Sequence, residues 1–531
     1  IRLDGRRELA RTVQLSPDCG DPQLLAACWA RWGPDCVHHL HGDYAFVVVS
    51  PSAQTLWLVR DPMGQRPLFV RRMDTQIVFA SCLRPLRLLG ANPGADATAL
   101  ADHLCGLPGD PERTAWQGIE RVPAGHVCRF ENHRDAASGP AGGAGHWRAH
   151  RFAALQPPVQ SATLSESDWR EGFKARFNAA ILDRLGDAER IGATFSGGLD
   201  SSAVVASASV LSTRGDLRAY AARFPQTPQS DEGQYIEDLR NFPGVHVEDI
   251  DVSATSPLRS YAELLPALDE PVLIQNLHLW SSLYAAARAD GIRVMLDGHD
   301  GDSALGRSAA TDPSPAPARA SLRVRTLRRL RKLLGGAPAE TSVPIDTHLM
   351  NADFARTTQA AERQRDFARR RLEASSAGML ARHRWQLCSG YAQYATERLS
   401  SIAQAFEIEA RHPFYDVRLL EWCLGLPAAL RQRDGYSRWV LRAELAGVLP
   451  DRLRWRPGKT SLSPQFHRAF AGMDAQLVEP LLQPDGDLAQ YLDVEKLRAL
   501  WNDYQRQPSD RASVSLWSAA TLGVWLQSHA A

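Results

Sequence analysis

The 531 residues exceed what one ordinary hydrophobic core holds, so two or more domains are expected. A hydrophobic fraction of 44% beside 23% charged residues is that of a soluble globular chain, and a formal net charge of +1 excludes a large nucleic-acid footprint. There is no apolar run of about 18 residues and no signal-peptide pattern at the start. The eight cysteines form neither a C-x-x-C pair nor a Cys/His metal spacing, so a reduced, cytoplasmic protein without a membrane span is expected.

Ile1 is not Met, and IRLDGRREL reads as the interior of an element, so residues upstream are expected. Apolar spacing predicts a helix over 22–32, and short β-type runs follow at 44–49, 55–59 and 77–80, separated by turn signals such as Pro51-Ser52 and Asp61-Pro62-Met63-Gly64. This is a β-rich sandwich-type layer, assigned to a first domain over 1–130. Residues 131–146 are Gly/Ala/Ser-rich and aperiodic, and 131–165 reads as a linker. From there to 531 strands and helices alternate. Strands are expected at 190–195, 217–224, 245–252 and 292–296, and helices at 201–211, 231–241 and 277–290, with mostly helix beyond about 360. Strand, helix, strand, helix implies a parallel sheet with crossovers, an α/β domain. A Pro-rich and then basic insertion interrupts it over 307–340. Its run of Arg323, Arg325, Arg328, Arg329, Arg331 and Lys332 reads as a solvated charged face or a contact for an acidic peptide.

Two stretches carry chemistry. Ser196-Gly197-Gly198-Leu199-Asp200-Ser201-Ser202 follows a strand and opens a helix. Glycines let backbone N–H groups approach phosphate oxygens, the helix N-terminus adds partial positive charge, the serines supply hydroxyls, and Asp200 suits Mg²⁺. It is not a Walker loop, because G-x-x-x-x-G-K is absent. The second stretch, 296–302, reads LDGHDGD and holds Gly298, His299, Asp300 and Asp302 just after an apolar strand. A zinc site is not expected there, since no second histidine lies at ligand spacing.

The first string resembles the pyrophosphate loop of the ATP pyrophosphatases, and the chain resembles their asparagine synthetase-like branch. Gly42-Asp43-Tyr44-Ala45-Phe46, 60–69 (RDPMGQRPLF) and 122–126 (VPAGH) are similar to its N-terminal glutaminase-type (Ntn) layer. Residues 411–416 (RHPFYD), Leu426-Pro427 and Arg456-Pro457-Gly458-Lys459 are similar to its later helical part and lysine-bearing loop. The resemblance implies a degenerate Ntn-type sandwich followed by an adenine-nucleotide α-hydrolase-like synthetase domain. Its ATP and Mg²⁺ would be held by the Ser196–Ser202 loop, Gly298, Asp200 and Asp302. A carboxylate would attack the α-phosphate of ATP, releasing pyrophosphate, and an amine would then displace AMP with Lys459 beside the developing oxyanion.

The position after Gly298 is glutamate in asparagine synthetases and tyrosine in β-lactam synthetases. Here it is His299, which resembles the lasso-peptide macrolactam synthetases. There it would serve as base toward the attacking amine. This implies a precursor peptide as substrate, with a leader peptidase and a leader-binding protein as partners. A working glutaminase of this type needs an N-terminal cysteine. Cys19, Cys28 and Cys36 are internal, and IRLDG does not keep the glutamine-binding pattern. If no cysteine heads the chain upstream of Ile1, the layer is a remnant and the amine arrives with the substrate. The rival readings are a glutamine-dependent asparagine synthetase, a β-lactam-forming synthetase and an inactive peptide-binding scaffold.

Overall fold

The computed structural model describes residues 1–73, 76–131, 146–159, 163–213, 215, 217–306 and 347–529. The insertion expected at 307–340, with its basic run, lies outside them.

The N-terminal strands are β1 (Arg2–Leu3), β2 (Gly42–Asp43), β3 (Ala45–Ser50), β4 (Thr55–Arg60), β5 (Phe69–Arg72), β6 (Ile77–Ala80), β7 (Ile119–Arg121), β8 (His126–Glu131) and β9 (His146–Arg151). One antiparallel sheet runs β3-β4-β8-β9 and a second β6-β5-β7, while β1 pairs with β2. Side chains alternate across a strand, so successive residues serve opposite faces. Leu58, Cys128 and Phe130 of the first sheet meet Leu68, Val70 and Val122 of the second. Their neighbours Val59 and Val127, with Phe46, instead pack on α1 (Arg6–Thr12) and α2 (Asp21–Trp32). The far side of the second sheet is covered by α3 (Leu83–Leu88) and α4 (Ala97–Leu104), giving helix, sheet, sheet, helix. The stretch read as linker contributes to this layer. Its residues His146–Arg151 form β9, paired along their length with β8, so the linker proper is shorter than 131–165.

The second domain is built on β10 (Ile191–Phe195), β11 (Leu217–Arg223), β12 (Val245–Asp251), β13 (Val294–Leu296) and β14 (Glu409–Arg411), all parallel in the order β12-β11-β10-β13-β14. α5 (Glu166–Leu185), α6 (Leu199–Leu211) and α7 (Gly233–Arg240) cover one face, against Leu217, Ala219 and Ala221. α8 (Pro257–Leu268) and α9 (Leu277–Ala289) cover the other, against Tyr220 and Met295. The fifth strand was not expected. Glu409-Ala410-Arg411 has no β-branched residue and lies in a region that reads as helical, and it becomes a strand by pairing with β13. The strand order reverses between β10 and β13. Open parallel sheets bind ligands at such a switch point. Beyond 347 the chain is mostly helical, as expected, and includes Tyr391–Ala405, Val417–Gly425 and Asp510–His529.

The domains share one core and two buried ionic seams. Phe69, Leu83 and Leu100 pack in the same cluster as Leu264, Leu268 and Trp525. Glu397 meets Arg60 at 2.9 Å and Arg121 at 2.7 Å, and Glu270 meets Arg121 and Arg398 at 2.5 Å each. Asp4, Asp183 and Asp416 converge as a metal site would, but Arg2, Arg184 and Arg418 answer their charges. Among the described residues, no helix is long and apolar enough to cross a membrane.

Candidate active site

Both sequence-predicted loops emerge at the switch point. β10 and β13 are neighbours, with Ala193 opposite Leu296. The chain therefore enters Ser196-Gly197-Gly198 from one strand end and Asp297-Gly298-His299 from the next. Gly197 has φ 69°, and a Cβ there would lie 2.9 Å from Tyr235 Cβ, so this turn needs glycine. Gly198 caps α6 without a side-chain bond, which leaves the first-turn N–H groups of this 13-residue helix open to an anion. Ser196 Oγ and Ser201 Oγ stand 3.0 Å apart at the exposed mouth. Leu199 and Ser202 differ from them. Leu199 is buried in the core, leaving only its backbone to face a ligand. Ser202 is fully buried with an unpartnered hydroxyl, so its side chain is not on the open face of the loop.

Gly298 is where the loops touch. A Cβ there would lie 2.4 Å from the backbone nitrogen of Ser201 and 2.6 Å from the carbonyl carbon of Asp200. Three residues on, a Cβ on Gly301 would lie 2.6 Å from Asp200 Cγ. These close approaches place Asp200, in the first turn of α6, beside Asp302, in the first turn of α10 (Gly301–Ala304). The two carboxylates converge on one cation. Arg438 Nη1 donates to Asp200 Oδ2 at 2.6 Å and lies 2.5 Å from Asp302 Oδ1. Lys459 pairs with Asp302 and stands 3.9 Å from Asp200. Burial pushes the Asp200 carboxyl above the usual range and Asp302 adds to this, while Arg438 and Lys459 work against both. Asp200 Oδ1 is buried with no hydrogen-bond partner. Two hard oxygen donors, one of them unsatisfied, around a position already taken by a cationic nitrogen are a donor set that fits Mg²⁺.

Arg456 fastens the lysine loop to the phosphate loop. It donates to the Gly197 carbonyl at 2.7 Å, to Thr460 Oγ1 at 3.0 Å and to the Gly458 carbonyl at 2.7 Å, pairs with Glu232, and lies over the Tyr235 ring at 4.2 Å. Sequence reading gave Lys459 a role, quoted Arg456 only as part of its loop, and passed over Arg438. Arginine clusters are common, and only the fold brings these two to the loops.

His299 lies on the other side of Gly298. Its backbone N–H donates to Asp297 Oδ1 at 2.9 Å, and its ring is enclosed by Trp280, His412 and Tyr415 at 6.1–6.3 Å between centroids. Burial pushes the imidazole below its ordinary value, against the pull of Asp300 and Asp297, so the neutral ring that can accept a proton is favoured. Asp297 meets His412 Nδ1 at 2.8 Å, joining the ends of β13 and β14. Burial opposes the charge on Asp297, but His412 outweighs it and holds the carboxyl below the usual range. Asp300, unexplained in the sequence, is placed by its backbone. It takes the left-handed region at φ 61° ahead of α10, and its carboxylate accepts from Ser303 and from Tyr415 OH at 3.0 Å. It therefore holds Tyr415 against His299.

The chain matches two family models, "Asparagine synthase" over residues 172–527 and "Glutamine amidotransferase domain" over 4–138. It is 23% identical over 528 residues to asparagine synthetase [glutamine-hydrolyzing] 3 of Bacillus subtilis, covering 94% of this chain and 79% of that protein. Over 302 residues it is 22% identical to the amidase chry2 of Gibberella zeae, 54% of this chain and 43% of that one. It is also 24% identical over 445 residues to the carboxyethyl-arginine beta-lactam-synthase of Streptomyces clavuligerus, 82% of this chain and 67% of the relative. These matches agree with the architecture described above, an Ntn-type amidotransferase layer ahead of a parallel-sheet domain with a helical C-terminal part. Asparagine synthase family members are ATP-dependent carbon–nitrogen ligases that typically use Mg²⁺. With its matched segment spanning well over half of its length, this chain belongs to the asparagine synthase family.

Proposed function

We propose that the protein closes a macrolactam in a ribosomally made precursor peptide. It would activate an Asp or Glu side chain with ATP and join it to the peptide's own N-terminal amine. The observation that carries this reading is His299, a neutral-biased imidazole beside the paired aspartates and walled by aromatic rings, where asparagine synthetases carry a glutamate.

In the first step the peptide carboxylate attacks the α-phosphate of ATP, the bond to the β-phosphate breaks, and pyrophosphate departs. The open N–H groups of α6 and the Ser196 and Ser201 hydroxyls bind the departing phosphates, and Arg456 holds the loop in shape. Asp200 and Asp302 would hold Mg²⁺, which supplies charge neutralisation to those phosphates. In the second step the amine attacks the acyl carbon and AMP leaves. His299 takes the proton that the amine sheds, and Lys459 steadies the oxyanion. Fixed donors and charges aimed at these atoms are the main source of rate in such chemistry. The same reading makes a leader peptidase and a leader-binding protein the expected partners.

Candidate precursor peptides are incubated with ATP and Mg²⁺ and analysed by mass for loss of one water together with AMP release. His299→Ala is expected to keep peptide-dependent exchange of pyrophosphate into ATP while ring closure slows by about 10²-fold or more, the usual size of a lost general base. Ring closure at the wild-type rate would make His299 structural. Because an asparagine synthetase and a beta-lactam synthase are among the relatives, glutamine with aspartate and carboxyethyl-arginine are run in parallel. AMP formation with either of these and with no peptide would replace the reading.

A further inference from the structure

A cavity of about 260 Å³ opens beside the lysine loop, between the start of α9 and the helix Asp510–His529. It lies just below the range of about 300–1,000 Å³ usual for sites that enclose a whole small molecule. Its polar lining is Gln275, Asn276, Thr460, Ser463, His467 and Ser513. No Lys, Arg, Asp or Glu lines it among the described residues. Any charge on His467 is answered where it stands, by Asp510 at 3.0 Å and the Tyr504 hydroxyl at 2.7 Å.

Two of its walls lead to the reacting centre. Thr460 follows Lys459, which pairs with Asp302. Asn276 precedes α9 and makes no capping bond, so its amide is left to the cavity. Trp280, four residues on, lies on the same face of the helix and packs edge-on to His299 at 6.1 Å. The cavity therefore lies one residue from Lys459 along the lysine loop and one helical turn from the tryptophan that packs on His299.

We propose that this cavity binds the backbone of the amine-bearing segment of the substrate, holding one or two uncharged peptide units so that the terminal amine reaches His299. The proposal rests on the peptide-ligase reading and names what that site recognises. Gln275 Nε2 donates to Ser513 Oγ at 3.2 Å and Thr460 Oγ1 accepts from Arg456 at 3.0 Å, so the Asn276 amide, the Gln275 carbonyl oxygen and the Ser463 hydroxyl are left to match peptide N–H and C=O groups. A free amino acid would bring a carboxylate that no cation here answers, and an unpaired charge is costly to bury. A phosphate is excluded on the same ground. The site thus selects an amine that continues into a chain over one that belongs to a free acidic amino acid.

The test is calorimetric binding of triglycine amide and of free L-aspartate to the full chain with Mg²⁺ and a non-hydrolysable ATP analogue. Triglycine amide is expected to bind at least tenfold tighter than aspartate. Asn276→Leu is expected to weaken it tenfold or more and Ser463→Ala about threefold, with melting temperature and nucleotide affinity serving as the check on folding. If triglycine amide fails to bind the wild type, or binds it and both variants equally, the cavity assignment is overturned while the peptide-ligase reading still stands on AMP release. If aspartate is the tighter ligand and Asn276→Leu abolishes its binding, both are overturned.

Discussion

Arg438 occupies the position where two carboxylates meet, and this has a measurable consequence. Asp200 is buried close to Asp302, and their repulsion must be answered by a cation. Without metal, Arg438 and Lys459 answer it. Arg438→Gln removes the buried partner, and loss of one member of a buried pair costs about 3–5 kcal/mol. The variant is expected to melt lower than wild type in EDTA and to gain more from added Mg²⁺, because metal binding to the folded state then relieves a larger repulsion. Equal melting with and without metal would show that Arg438 does not neutralise the pair. Asp200→Ala and Asp302→Ala are each expected to abolish conversion of ATP to AMP, read by chromatography of the nucleotides. Normal turnover in either variant would remove that residue from the metal site.

The site depends on how closely α6 approaches the loop after β13, and Gly298 sets that distance. An added Cβ would fall 2.4 Å from the Ser201 backbone nitrogen, and the backbone of a helix turn cannot rotate away as a side chain can. Gly298→Ala is expected to push the two loops apart, to cost about 1–3 kcal/mol as overpacking does, and to lower ATP affinity with it. Denaturant melts and nucleotide titration check the two effects separately. Wild-type nucleotide affinity would mean that the loops can part without loss of the cradle. Gly458, in the lysine loop, is a useful contrast, since nothing lies within 4 Å of a Cβ there. Its substitution by alanine is expected to leave stability nearly unchanged.

Across the whole molecule, Glu397 fastens the N-terminal layer to the synthetase domain. Burial opposes its charge, but Arg121, Arg60 and Arg398 outweigh this and hold its carboxyl down at about 2. A carboxyl whose folded value is depressed contributes stability above its unfolded value, and that stability is lost as pH falls toward the folded one. The window therefore runs from about pH 4.5 down to about 2, and the shift corresponds to roughly 3 kcal/mol. Thermal melts across this range are expected to show wild type losing stability more steeply than Glu397→Gln. The variant is expected to be less stable at neutral pH, because three buried guanidinium groups lose a partner. Parallel pH profiles would mean that the seam does not carry the acid sensitivity.

Much of this was legible in the chain. Strand-then-helix context around Ser196–Ser202 and the apolar run before Gly298 placed both loops at the ends of parallel strands. Spacing and residue type suffice there, because a glycine-rich turn between a strand and a helix has few other uses. Short β-type runs separated by turn signals likewise marked the first layer as a β-rich sandwich. What the sequence did not disclose depends on contacts between distant residues. β14 has no strand-forming pattern and exists through pairing with β13. Arg438 and Arg456 look like any other arginines until the fold carries them more than 230 residues back to Asp200 and Gly197. Asp300 had no assignable role in the sequence and proves to be a left-handed backbone position whose carboxylate steadies Tyr415. The sequence by itself determined where the two loops lie and which side chains can bear chemistry, because propensity, periodicity and turn chemistry are local. Only the tertiary structure decided which charges meet, since a pair of carboxylates becomes a cation site through close approach.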